Sequence, residues 1–74
     1  MQKYIIIDNS FPIIFDCRLQ HKDVASNLNV TSAGFLDREG NCSGGSDSLG
    51  IDSNPVNDSK IINLFLRLTF KFQK

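Results

Sequence analysis

Lys60-Ile61-Ile62-Asn63-Leu64-Phe65-Leu66-Arg67-Leu68-Thr69-Phe70-Lys71-Phe72 is the stretch on which the fold turns. It carries too much apolar surface to stay in water, so either a sheet of the same chain or another chain must cover it. Just upstream, Asn54 can cap a helix, and Pro55 suits the first helical position, where its missing N–H would be unpaired in any case. Asp58 in the first turn favours the positive end of the helix dipole. At about 100° per residue, Ile61, Leu64, Phe65, Leu68 and Phe72 fall on one stripe, expected to pack on a sheet. Ile62, Leu66 and Phe70 fall on a second stripe, roughly opposite. Lys60, Arg67 and Lys71 form a basic ridge between the two. A helix that is apolar on two sides is covered on two sides, which makes Ile62, Leu66 and Phe70 the candidate dimer or partner surface. Leu64, Leu66, Leu68, Phe70 and Phe72 also alternate, a pattern that fits a shorter helix followed by a strand. The cap signals favour the helix.

Residues 41–57 contrast with this tail, being rich in Asn, Ser, Asp and Gly, the chemistry of turns and caps. Residues 41–51 are expected to form a fourth strand, preceded by a third at 30–36 and a reversal at Asp37-Arg38-Glu39-Gly40. Near the start, residues 4–7 and 12–15 are apolar runs separated by Asp8-Asn9-Ser10, the mark of a hairpin, with Pro12 at the beginning or edge of its second strand. Residues 19–28 hold Val24 and Leu28 at helical spacing and predict a helix of two turns. The expected architecture is therefore α+β: a small antiparallel sheet of about four strands, built from two hairpins, with a short helix and a C-terminal helix packed on one face.

The chain has 74 residues, 41% hydrophobic and 22% charged, a composition that suits one folded domain spanning 1–74. Its formal net charge is zero but unevenly spread. Asp37, Glu39, Asp47, Asp52 and Asp58 face only Arg38 in the middle, and from Lys60 onward there are basic residues and no acid. Neither half is charged strongly enough to make nucleic acid the natural partner. The apolar run at the N-terminus is too short for a signal peptide or a membrane span, so no membrane association and a cytoplasmic setting are expected. Cys17 and Cys42 are too few for a disulfide scaffold and read as free thiols.

Little in the chain points to catalysis. His21 is the single histidine. With Asp23 and a cysteine it could form a nucleophile, base and orienting group, although two residues along a helix Asp23 points elsewhere. Cys17, His21 and Cys42 lack the paired short spacings of structural zinc sites, so neither metal nor cofactor is expected. Ser43-Gly44-Gly45-Ser46 resembles an anion-holding loop, yet it lacks the lysine and spacing of a P-loop. With His21 it is the candidate small-ligand site, for a nucleotide or other metabolite. The leading functional expectation is a non-enzymatic interaction protein, homodimeric, that occludes a protein partner. Small inhibitors of host defence carried by phages and mobile elements are proteins of this size and type.

Overall fold

The structure is a computed structural model that describes residues 1–72, with side chains of the last helix described through Leu68. Its elements are β1 (Gln2–Ile7), β2 (Phe11–Asp16), α1 (His21–Ala25), β3 (Val30–Leu36), β4 (Cys42–Ser43), β5 (Gly45–Ser46), β6 (Ile51–Asp52) and α2 (Pro55–Phe72). The fold is α+β. A four-stranded antiparallel sheet runs in the order β2-β1-β3-β4, a separate small ribbon joins β5 to β6, and α2 contacts the sheet.

The β1–β2 hairpin closes where Asp8 and Asn9 both adopt positive φ, which these two residue types tolerate better than most. Ser10 N–H donates to the Ile7 carbonyl at 3.0 Å to complete the turn. On the other side of β1 the register with β3 slips by one residue between Ile6 and Ile7. Thr31 occupies the resulting bulge, its hydroxyl donating to the Ile6 carbonyl and accepting from the Asn9 N–H.

β1 is central, and Tyr4 through Ile7 are all buried, as expected for a strand covered on both faces. Alternation sends Tyr4 and Ile6 to one face, where they meet Leu36, Cys42 and Ile62. Ile5 and Ile7 go to the other, with Ala25 of α1 and Ala33. The domain thus has a core on each side of its sheet, with α2 over one and α1 together with the β5–β6 ribbon over the other.

Three expectations are corrected. The fourth strand is not one run over 41–51: positive φ at Gly44 breaks it after Ser43, and a turn closing on Gly50 separates β5 from β6. The first helix is five residues, not two full turns, because Ser26 turns to φ +48° and ends it. Leu28, expected to share a helical face with Val24, lies beyond the end of the helix and is exposed.

The third correction concerns the rotation of α2. Ile62 is 0% exposed and sits in the core, with Leu66 packed beside it, whereas Leu64 is 58% and Leu68 48% exposed. Ile62 and Leu66, expected to meet a partner, face the sheet, and Leu64 and Leu68, expected to meet the sheet, face outward. Asp58 explains the rotation. Its carboxylate is drawn onto the sheet by two hydroxyls, and Ile62 and Leu66 follow it one and two turns later on the same face.

Candidate functional site

Asp58 is 1% exposed, and its carboxylate accepts three hydrogen bonds. Tyr4 Oη donates to Oδ2 at 2.5 Å, the Asn54 backbone N–H to the same oxygen at 2.9 Å, and Ser32 Oγ to Oδ1 at 2.6 Å. A buried carboxylate is tolerated only with such partners. Burial, and then the adjacent Asp58 carboxylate, push the Tyr4 hydroxyl well above the ordinary tyrosine pKa. Gly34 pairs with Tyr4 in register, and a Cβ there would lie 2.5 Å from the Ser43 carbonyl oxygen and 3.2 Å from the Tyr4 hydroxyl. The missing side chain is what lets Tyr4 reach Asp58. This network is enclosed and holds α2 to the sheet; it is not an open site.

Two open surfaces bear on the expected site residues. The first lies where α2 passes the tip of the β1–β2 hairpin. Phe11 and Phe65 meet edge to face at 5.5 Å and divide two apolar depressions. One, of about 250 Å³, is lined by Asn9, Ser10, Ile61, Leu64, Phe65 and Leu68. The other, of about 530 Å³, runs along β2 from Phe11 to Ile14 and reaches Leu66. Lys60 and Arg67 are exposed on the outer side of α2, next to Leu64 and Leu68. Of the expected partner surface, Ile62 is inaccessible, Leu66 only borders the larger depression, and the side chains of Phe70 and Lys71 lie outside the described residues.

The second surface is a cleft of about 210 Å³ on the α1 side, lined by Lys3, Gln20, His21, Phe35, Gly45 and the Asp47-Ser48 turn. Here the structure brings together two members of the expected ligand loop, His21 and Gly45. Ser46 is buried under the turn, with its Oγ accepting from the Leu49 N–H at 3.2 Å, while Ser43 and Gly44 are exposed and do not line the cleft. Alternation along β1 and β3 places Lys3 and Phe35 on this face, a signal present in the sequence but obscured without the strand pairing. Asp47 was unreadable in advance, because the β5–β6 turn that presents it lies inside the run expected to be one strand.

The residues considered for catalysis or metal binding are dispersed. Cys42 is in the α2-side core, His21 is on the α1 side, Cys17 is exposed, and the Asp23 carboxylate accepts from the Gln20 N–H. Among the described residues no group of three potential metal ligands is clustered, and no helix is long and apolar enough to cross a membrane. Comparison with known protein families, curated proteins and solved structures finds no match to this chain.

Proposed function

We propose that this protein is a non-enzymatic interaction module that docks on a partner protein, and occludes it, through the outer face of α2 and the tip of the β1–β2 hairpin. The observation that carries the reading is the exposure of Leu64 and Leu68 beside the apolar depressions that flank Phe11 and Phe65. Adjoining apolar side chains left in water on a small domain, with shaped hollows between them, favour burial by another molecule. Lys60 and Arg67 border the same strip, so the complementary surface presents apolar anchors flanked by carboxylates. The dispersal of Cys17, His21 and Cys42 fits a role in binding rather than in nucleophilic chemistry.

The test compares wild type with Leu64→Asp, and with Leu28→Asp as a control at an exposed apolar residue outside the patch. Affinity capture from native lysate should yield a stoichiometric protein with wild type and with the control, and should lose it with Leu64→Asp. Equal capture by all three would sink the reading. Sedimentation of purified wild type and Leu64→Asp tests in parallel whether the same face takes a second copy.

A further inference from the structure

We propose that the cleft on the α1 side binds a small zwitterion, a molecule of amino-acid size with one anionic and one cationic group. The site is independent of the protein-docking face, which lies on the α2 side of the sheet.

The argument begins with His21, which is 3% exposed yet lines the cleft. Its Nε2 lies 3.0 Å from the Gly34 carbonyl oxygen, which can only accept, so Nε2 carries a proton, and whenever the ring is uncharged Nδ1 is its acceptor. The rings of Phe15 and Phe35 meet the imidazole edge to face at 5.5 and 5.9 Å and fix its plane. No hydrogen bond among the described residues engages Nδ1, and no fully enclosed side-chain nitrogen or oxygen there lacks a partner. Nδ1 is therefore the solvent-reached edge of a locked ring.

Lys3 and Asp47 supply opposite charges to the same cleft without pairing, for the one ion pair among the described residues joins Arg18 to Asp16. Lys3 is held from behind, and so is the turn that carries Asp47. Lys3 Nζ donates to the Leu19 carbonyl at 2.8 Å and lies over the Phe35 ring, 6.0 Å from its centroid, with two further N–H donors on the ammonium. The turn bearing Asp47 is pinned to α1 by the Lys22 N–H, which donates to Ser48 Oγ at 3.2 Å. Two charges of opposite sign that line one cleft without pairing are complementary to a ligand that spans them, its anion on Lys3 and its cation between Asp47 and His21 Nδ1. A volume of about 210 Å³ lies below the range of drug-sized pockets and well above that of one water, which sets the ligand's size. The Phe35 ring forms an apolar wall for its body.

The experiment titrates the uniformly ¹⁵N-labelled protein with a panel of free amino acids and taurine, and follows the ring nitrogens of His21, the single histidine, by NMR. At least one zwitterion should move the Nδ1 resonance saturably. Its N-acetyl and ester derivatives, which keep one charge each, should bind about fivefold or more weakly. Lys3→Met and Asp47→Asn should each reproduce that loss, with unchanged amide spectra elsewhere confirming the fold. No saturable shift from any member of the panel would overturn the proposal, and so would equal binding of either single-charge derivative.

Discussion

Removing the Asp58 carboxylate would strand the Tyr4 and Ser32 hydroxyls in the interior and take the acceptor from a part-buried backbone N–H at the start of α2. Unsatisfied buried donors cost about 1–3 kcal/mol each, so Asp58→Ala should lose about 3 kcal/mol or more in urea unfolding. That is a large share of the roughly 4–10 kcal/mol available to a domain of this size. Tyr4→Phe removes one hydrogen bond to a charged group and should cost about 2 kcal/mol. Tyr4 also sets a pH limit. Its folded pKa is raised above the ordinary value of about 10, so both states keep the proton at neutral pH, and above about pH 10 only the unfolded chain releases it. Stability should then fall by about 1.4 kcal/mol per pH unit. Because Tyr4 is the single tyrosine, phenolate absorbance should appear together with unfolding, and Tyr4→Phe should flatten that part of the pH profile. Phenolate absorbance rising in the still-folded protein would refute this account.

Among the elements, α2 separates what local patterns reveal from what they do not. Its start at Pro55 was legible because caps and proline act over a few residues, and its course as a helix followed from the cap signals and spacing. Its rotation was not legible, since both stripes are apolar and the choice between them rests on Asp58 meeting residues 54 and 26 positions away in sequence. Residues 41–51 failed for a different reason: each reversal there depends on a single positive-φ glycine, and the paired segments are two residues long. The helix assignment has a direct check. Ile62→Ala should cost about 2–5 kcal/mol in a core position, while Leu64→Ala should stay within about 0.5 kcal/mol; similar losses at both would mean that the helix is turned otherwise. Gly34→Ala tests the strand opposite, because its Cβ meets backbone oxygen of Ser43 that cannot swing aside. A loss of about 1–3 kcal/mol is expected.

For the molecule as a whole, the sheet acts as a partition. It separates the apolar face over α2, proposed above for docking, from a small polar cleft over α1, and each can be altered without touching the other. The double variant Leu64→Asp/Leu68→Asp should therefore unfold at nearly the wild-type denaturant midpoint while losing its partner. With Lys60 and Arg67 on the rim, partner association should also slow as salt is raised, and Lys60→Ala/Arg67→Ala should remove most of that dependence. Salt-independent association would discount the basic rim. The core network has a bearing on ancestry as well. A carboxylate at 58 is tolerable only opposite hydroxyls at 4 and 32, and those hydroxyls have little use without it. The three positions should therefore change as a set during divergence, and a distant homologue is to be sought through their joint replacement, for instance by Phe, Ala and Leu, rather than through any one of them. A homologue that keeps Asp at 58 against Phe at 4 and Ala at 32 would break this rule.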